Sequence, residues 1–419
     1  MRGLATSHLR PGHPDLLDLP WHLPLDRWEG HTPRLESLPR GEARHPVVFV
    51  DYDGRAYALK AMGEGQAEHE YQLLREMEDR QLPVVAPVGH VTAVTDDGPQ
   101  SVLVTRYLAY SLPYHSLFLR SDLSRYRDHL LDAMAGLLVQ LHLAGVWWGD
   151  CSLFNTLFLR DAGTLQAVLV DAETSRVKDR LDPGERAADL DLMEENVAGG
   201  LLDLVAMGAL PEDYPAWDLA ADIRQRYDRL WHEVSRVEEV RPEERYRITE
   251  RVRALNALGF SVGEIALERR EPTSDDDGGR DRLRLRVVVT DRSFNRRLLH
   301  SLTGLEVQEQ QAQQMVNEIQ ELRATLGHLR DRSVSLGAAA FHWLESLYTP
   351  SVRALRAAGG EVEPPERYCQ LLEHKWLLSE VAGRDVGHEA ALADLLARLA
   401  PEAPDAEPAA PPERDGDRG

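Results

Sequence analysis

Residues 145–175 have the sequence GVWWGDCSLFNTLFLRDAGTLQAVLVDAETS. Asp150 stands five positions before the amide Asn155, and a second acid, Asp171, ends an apolar run that has the composition of a β-strand. Carboxylate and amide oxygens are hard ligands of the kind that Mg²⁺ accepts, together with the oxygens of a phosphate. The stretch is therefore suited to holding a metal ion and a phosphate.

A β-hairpin is predicted inside this stretch. Residues 156–160 and 165–170 are short apolar runs, and the segment 161–163 between them, Asp-Ala-Gly, is typical of a tight turn. Such a hairpin would return Asp171 to the side of Asn155, although sixteen residues separate them in the chain.

Three side chains in this stretch have the chemistry of phosphoryl transfer. That reaction needs a carboxylate to orient the attacking hydroxyl and take its proton, and oxygen ligands to hold Mg²⁺ on the nucleotide phosphates. Asp150 suits the first role, whereas Asn155 and Asp171 suit the second. The structural alternative is a capped turn at Asp150 and Asn155 with Asp171 as a strand-end cap.

The residues Tyr57-Ala58-Leu59-Lys60 resemble the third strand of protein kinases, and this resemblance implies that Lys60 is the cation that binds the phosphates. It ends the β-type run 55–60, and the following segment 66–81 has apolar residues at helical spacing. Glu70 lies beside that apolar stripe and would reach the ammonium group of Lys60, whereas Glu68 lies about 200° around the helix from Glu70 and is less suitable. An exposed strand end and a solvated acidic helix face are the alternatives.

Two further segments are candidates for nucleotide binding. Residues 40–45 precede the first strand pair at the place of a phosphate-covering loop, but contain one glycine, so Arg40 and Arg44 are the candidates for neutralising phosphate charge. A solvated basic turn explains them equally well. The strand around 102–108 runs into a predicted hinge, where the backbone at Thr105 and Tyr107 would meet the adenine edge.

The order of these motifs resembles the protein-kinase-like fold. Asp150 and Asn155 follow the Asp-x-x-x-x-Asn pattern of its catalytic loop. Trp148-Gly149-Asp150 stands where many small-molecule kinases have His-Gly-Asp, and Asp171-Ala172-Glu173 where they have Asp-x-Glu. The chain is thus most similar to lipopolysaccharide (Kdo and heptose) kinases and aminoglycoside phosphotransferases. The resemblance implies ATP and Mg²⁺ as cofactors, with catalytic roles for Asp150, Lys60 and Glu70.

The C-terminal part resembles a bacterial family whose C-terminal region is a domain of unknown function. The resemblance is carried by residues 302–309, by His374-Lys375-Trp376 and by Gly383-Arg384-Asp385. The predicted fold is α+β: a two-lobed protein-kinase-like fold with a β-rich N-lobe and a helical C-lobe, followed by a mainly helical accessory domain with a β-hairpin. The expected units are an N-terminal arm (1–37), an N-lobe (38–109), a C-lobe (110–235), an accessory domain (236–395) and a disordered tail (396–419).

Supporting roles are predicted for residues behind the catalytic loop. Asp189 and Asp191, early in a helix expected over 187–208, would brace that loop, although acids near a helix N-terminus also complement the helix dipole. His142, in a helix expected over 123–143, is interpreted as a packed residue. The segment 176–188 is short, which favours a small-molecule or glycolipid acceptor over a peptide.

Composition excludes several classes of protein. The 419 residues have a formal net charge of -22, which argues against a general affinity for nucleic acid or anionic membranes. Two cysteines, Cys151 and Cys369, are too few for a disulfide framework and indicate a reducing cytoplasm. Neither a signal peptide nor a membrane span is predicted, since the most apolar long segment, 130–148, contains polar side chains.

Three functions remain open on the sequence. The favoured one is phosphorylation of a hydroxyl on a small molecule or a glycolipid sugar. The second is a pseudokinase, a nucleotide-binding regulator or scaffold acting on a protein partner through residues 236–395; Trp148 and the glycine-poor loop favour it. A distant third is a DNA-binding regulator, because residues 256–265 resemble part of a helix-turn-helix.

Overall fold

The computed structural model of the protein describes residues 3–38, 45–120, 123, 126–241, 244–269, 283–330, 333–359 and 362–399. The predicted α+β class is confirmed: a β-rich lobe is followed by a helical lobe and then by further helices. None of the helices in these ranges is both long and apolar enough to cross a membrane.

The N-terminal lobe is an antiparallel sheet to which the described residues contribute six strands. They are β1 (Gly3–Leu9), β2 (Leu35–Glu36), β3 (Val47–Tyr52), β4 (Arg55–Met62), β5 (Pro87–Thr95) and β6 (Gly98–Arg106). Their order across the sheet is β1-β5-β6-β4-β3-β2, which places β4 in the interior. Helix α1 (Gln66–Asp79) follows β4 and packs against β5 and β6.

The first residues of the chain are part of this lobe. Trp21 and Trp28 are buried and pack edge to face in a core that they share with the sheet. Strand β1 was not predicted, because its sequence, GLATSHL, lacks the apolar alternation of a half-buried strand. It is held instead by backbone pairing with β5.

The helical lobe carries the stretch 145–175. Its elements are β7 (Leu112–Pro113), α2 (Tyr114–Leu119), α3 (Arg127–Leu143), β8 (Val146–Trp147), β9 (Thr156–Asp161), β10 (Thr164–Leu169), β11 (Arg176–Val177), α4 (Pro183–Ala206) and α5 (Ala216–Ser235). Helix α4 begins four residues earlier than predicted, because Asp182 and Glu185 form a reciprocal capping box and Pro183 occupies the first helical position.

A small sheet follows this lobe and shares its core. It consists of β12 (Glu238–Val240), β13 (Ser261–Arg269) and β14 (Leu283–Asp291), with α6 (Arg245–Ala257) before β13. Phe260 and Leu285 belong to the same buried cluster as α3 and α5. The helix-turn-helix interpretation of residues 256–265 is wrong, because the chain enters β13 soon after α6.

The remaining helices have a core of their own. They are α7 (Phe294–Thr303), α8 (Glu309–Arg330), α9 (Leu336–Trp343), a π-helical turn (Leu344–Tyr348), α10 (Thr349–Ala357), α11 (Pro364–Ala382) and α12 (His388–Leu399). Trp343 and Tyr368 are fully buried at the centre of this core. Helix α12 includes residues 396–399 of the segment expected to be a tail, and residues 400–419 lie outside the described ranges. The domain bounds proposed from the sequence remain a prediction.

Candidate active site

The structure brings Lys60, Glu70 and Asp171 together between the two lobes. The Nζ atom of Lys60 lies 3.1 Å from Oε2 of Glu70 and 2.6 Å from Oδ2 of Asp171. Lys60 comes from the interior strand β4, where Val47 and Leu103 are its register neighbours, and Glu70 comes from α1. The predicted contact between Lys60 and Glu70 is therefore present, and Asp171 completes it from the other lobe.

Burial strengthens the electrostatic interactions among Lys60, Glu70 and Asp171. The side chain of Glu70 is fully buried, whereas those of Lys60 and Asp171 are 17% and 27% exposed. Burial by itself would lower the pKa of Lys60, but the two carboxylates raise it above its ordinary value. Burial and the charge of Asp171 raise the pKa of Glu70 to about 7, against the opposing effect of Lys60. With both carboxylates ionised, one ammonium group faces two negative charges, an excess that favours a cation.

Hydrogen bonds fix both carboxylates. The backbone N–H of Ala172 donates to Oε1 of Glu70 at 3.1 Å, and the N–H of Glu173 donates to Oδ1 of Asp171 at 3.1 Å. Each carboxylate thus has one oxygen on Lys60 and the other on the backbone that follows Asp171. The geometry of α1 is in this way tied to the end of the hairpin.

The catalytic-loop acid Asp150 is held by two amides. The Nδ2 atom of Asn155 donates to Oδ2 of Asp150 at 3.0 Å and to its backbone carbonyl at 3.1 Å. The Nδ2 atom of Asn196, on α4, donates to Oδ1 at 3.1 Å. These hydrogen bonds fix the orientation of the Asp150 carboxylate.

The β9–β10 hairpin places Asn155 next to the end of β10, two residues before Asp171. Thr156 pairs with Leu169, and the N–H of Val170 donates to the carbonyl of Asn155 at 3.1 Å. The amide nitrogen of Asn155 is turned towards Asp150, so its oxygen is the end suited to a cation. The described residues contain no group of three or more His, Cys, Asp or Glu side chains that could hold a metal ion by themselves. One carboxylate and one amide oxygen nevertheless fit Mg²⁺, which is commonly bound by few protein ligands together with the substrate phosphates.

Asp189 braces the catalytic loop from behind. Its fully buried carboxylate accepts hydrogen bonds from the backbone N–H groups of Trp148, at 2.7 Å, and of Gly149, at 2.8 Å. Its Oδ2 atom also lies 3.1 Å from Nε2 of His142, whose other ring nitrogen lies 2.8 Å from the hydroxyl of Tyr227. Both His142 and Asp189 are thus buried structural residues that position the loop.

Asp191 has a different place from the one considered for it. It lies on the exposed side of α4, where its Oδ1 atom pairs with Arg224 at 2.6 Å. Two positions along a helix correspond to a rotation of about 200°, so Asp189 and Asp191 face opposite sides. Bracing of the loop by Asp191 is therefore wrong.

The predicted hinge segment is engaged within its own lobe. Thr105 is buried in β6 opposite Ala58, and the N–H of Tyr107 donates to the carbonyl of Ala56 at 3.0 Å. Adenine binding at Thr105 and Tyr107 remains a prediction, and it would rely on groups other than that N–H. The candidate phosphate ligands Arg40 and Arg44 lie outside the described residues.

Sequence reasoning missed two residues that support the site. Asn196 lies seven residues after Asp189, two helical turns along the same face of α4, and this spacing was an available signal. Trp148 was noted only as a departure from histidine. Its side chain is fully buried, and its Nε1 atom donates to the carbonyl of Asp171 at 3.3 Å, while its own carbonyl accepts from the Ser175 hydroxyl at 3.2 Å.

Comparison with known proteins agrees with the resemblance predicted from the sequence. Residues 54–207 match the model of the lipopolysaccharide kinase (Kdo/WaaP) family, and residues 229–399 match a domain of unknown function, DUF4032. A solved structure described as WaaP in complex with acyl carrier protein is similar at 17% identity, with a TM-score of 0.35, over 60% of this chain and 95% of that chain. No curated protein sequence matches. The chain thus has an N-terminal region similar to the Kdo/WaaP lipopolysaccharide kinase family and a C-terminal region similar to DUF4032.

Proposed function

We propose that this protein is an ATP- and Mg²⁺-dependent phosphotransferase that phosphorylates a hydroxyl of a small molecule or a glycolipid sugar. The observation that carries the proposal is the ion-pair cluster of Lys60 with Glu70 and Asp171. It joins one residue from each of three separate elements at the cleft, beside the loop that presents Asp150. A capped turn alone would not require a half-buried lysine from the other lobe.

Each residue has a role in the proposed reaction. Lys60, held by Glu70, contacts the phosphates of ATP, while Asn155 and Asp171 are the ligands of Mg²⁺, which neutralises phosphate charge when bound. Asp150 orients the acceptor hydroxyl and takes its proton as the acceptor oxygen bonds to the γ-phosphorus. The bond from that phosphorus to the β–γ bridging oxygen breaks, which yields ADP and the phosphorylated acceptor.

The acceptor class is inferred from the segment after Asp171. Helix α4 begins at Pro183, and the intervening residues include only the two-residue strand β11. Protein kinases use a longer activation segment at this place to dock peptides. The short connection supports a small or lipid-linked acceptor, and a protein partner acting through residues 236–395 remains a separate proposal.

A second candidate is a nucleotide-binding regulator without turnover. The observation that favours it concerns Trp148, which stands where small-molecule kinases have a histidine. Its side chain is buried and donates a hydrogen bond to the backbone carbonyl of Asp171. In this case the same cleft would bind nucleotide, but no phosphate would be transferred.

The two candidates are separated by nucleotide binding and turnover measured on the same variants. The phosphotransferase proposal predicts that Asp150→Ala retains an ATP-induced thermal shift and loses ATP turnover, whereas Asp171→Ala loses the Mg²⁺-dependent part of the shift. Asp203→Ala, an exposed acid on α4, is the control and should behave as wild type. A shift without turnover in wild type, tested with sugar and glycolipid acceptors, would favour the regulator. No nucleotide shift in wild type would refute both.

A further inference from the structure

The C-terminal helices grip the turn of the hairpin that carries the proposed metal ligands. Glu366, on α11, accepts hydrogen bonds from the backbone N–H groups of Ala162, at 2.7 Å, and of Gly163, at 3.1 Å. Gln311, on α8, donates from Nε2 to Glu366 at 3.0 Å and to the carbonyl of Arg160 at 3.0 Å. Three of these contacts join the two helices to the turn end of the hairpin, and the fourth joins the helices to each other.

The contact is buried and specific. Glu366 and Gln311 are 1% and 0% exposed. Asp161 is also buried, at 3% exposure, and its Oδ1 atom accepts a hydrogen bond from the backbone N–H of Gln311 at 2.8 Å. Ala162 and Gly163 have φ values of 53° and 84°, the left-handed pair of a type I′ turn, which points both N–H groups at one acceptor. Such turns ordinarily bind water through these N–H groups, whereas here a carboxylate of the C-terminal helices accepts both of them.

The C-terminal helices contact the turn of the β9–β10 hairpin, and the candidate active site lies at the opposite end of this hairpin. Strands β9 and β10 pair without a register shift from Thr164–Asp161 at the turn to Leu169–Thr156 at the base. Six paired residues of β-structure span roughly 17 Å. Asn155 and Asp171 lie just beyond the base, so a tilt of the turn would move both of them together.

We propose that Glu366 and Gln311 are positioning residues for the active site: they hold the β9–β10 hairpin in the orientation at which Asn155 and Asp171 bind Mg²⁺ with nucleotide. The DUF4032 region is on this view a structural part of the kinase-like site. The metal-binding part of the inference rests on the proposed function, whereas the mechanical part, that Glu366 immobilises the hairpin, does not.

The test substitution is Glu366→Gln. Glu366 accepts from three donors, and a glutamine amide would turn an N–H₂ group towards at least one of them, which creates a donor–donor conflict in a buried site. The matched control is Glu318→Gln. Glu318 is also a largely buried carboxylate of the C-terminal domain, but it accepts from Trp343 and Tyr368, within that domain.

Hydrogen exchange measured by mass spectrometry on the full chain gives the first readout. Glu366→Gln should speed exchange in peptides covering 150–172, while Glu318→Gln should affect only the C-terminal helices. Equal exchange of the hairpin in wild type and Glu366→Gln would overturn the proposal. If Glu366→Gln does not fold, Gln311→Leu, which removes the side-chain donor without adding a charge, replaces it with the same expected and refuting results.

The Mg²⁺ dependence of nucleotide binding gives the second readout. The Mg²⁺ concentration for half-maximal ATP binding should rise about fivefold or more in Glu366→Gln, a typical size for coupling between sites, and stay unchanged in Glu318→Gln. If wild type binds Mg-ATP and Glu366→Gln binds it equally well, the positioning role is refuted while the proposed function stands. If wild type does not bind, the proposed function fails, and the exchange data alone decide whether Glu366 immobilises the hairpin.

Discussion

Removing the carboxylate of Asp189 should destabilise the protein through the catalytic loop. In Asp189→Ala the N–H groups of Trp148 and Gly149 lose their acceptor in a fully buried site. An unsatisfied buried donor costs about 1–3 kcal/mol, so the two together should cost about 2–6 kcal/mol. That is a large part of the stability of a typical domain, which is on the order of 5–15 kcal/mol.

The matched control lies on the same helix. Asp191→Ala removes the same group two positions away, where the carboxylate is 64% exposed and pairs with Arg224 on the surface. Exposed pairs contribute about 1 kcal/mol or less. We therefore expect clearly different losses of stability from two substitutions that are identical in chemistry and two positions apart in the sequence.

The first measurement is the midpoint of urea unfolding, monitored by tryptophan fluorescence. The second is hydrogen exchange of peptides that cover 146–150. Asp189→Ala should lower the midpoint and expose those amides, while Asp191→Ala should leave the exchange unchanged. Asp189→Asn, which turns an N–H₂ group towards one of the two backbone donors, should also lower the midpoint. Equal midpoints for Asp189→Ala and Asp191→Ala would refute the bracing role.

Three further substitutions test other parts of the structure. Burial raises the pKa of Asp161 from 3.8 to about 7, so ionisation of this group increasingly destabilises the folded state as the pH rises from 3.8 to about 7. Asp161→Asn should therefore stabilise the protein at pH 8 and change its stability little at pH 4. A larger increase of the urea midpoint at pH 4 than at pH 8 would contradict this. Gly145→Ala should lower the melting temperature strongly, because Gly145 has a φ of 77° and an added Cβ would lie 2.1 Å from the carbonyl oxygen of Lys178; a melting temperature equal to wild type would disprove that contact. Lys60→Met should lower the free energy of unfolding by on the order of 3 kcal/mol, since it leaves the buried carboxylate of Glu70 without its cation. It should also abolish the ATP-induced thermal shift, and an unchanged shift in scanning fluorimetry would show that Lys60 does not contribute to nucleotide binding.

The parts of the site that sequence could predict are those with local spacing. Asp150 and Asn155 lie on one loop, and the two-residue turn after β9 determines where Asp171 returns. Lys60 and Glu70 are ten residues apart on consecutive elements, so helical periodicity alone limits the choice of partner. In each of these cases the geometry follows from one secondary-structure element and its immediate neighbour.

The missed parts depend on contacts between distant segments. Asn196 reaches Asp150 across 46 residues, and Glu366 reaches Ala162 across 204. A single buried glutamate on a helix that also contains Arg367, Glu373 and Lys375 has the same local pattern as a solvated one, so periodicity could not identify Glu366 as buried. The role of Trp148 was missed for a related reason. It depends on how this side chain packs and which backbone groups it binds, and the sequence does not show these contacts.

The charge balance of the cleft links the two halves of the chain. Lys60 faces two carboxylates, of which Glu70 is enclosed and Asp171 is partly exposed, so an incoming divalent cation would meet Asp171 first. In the proposed reaction Asp171 would exchange its contact with Lys60 for the cation, and the ammonium group of Lys60 would pair with Glu70 and the phosphates. Such an exchange requires Asp171 to hold its position without the ion pair. The β9–β10 hairpin, fixed at its turn by Glu366, is the element that would provide this rigidity.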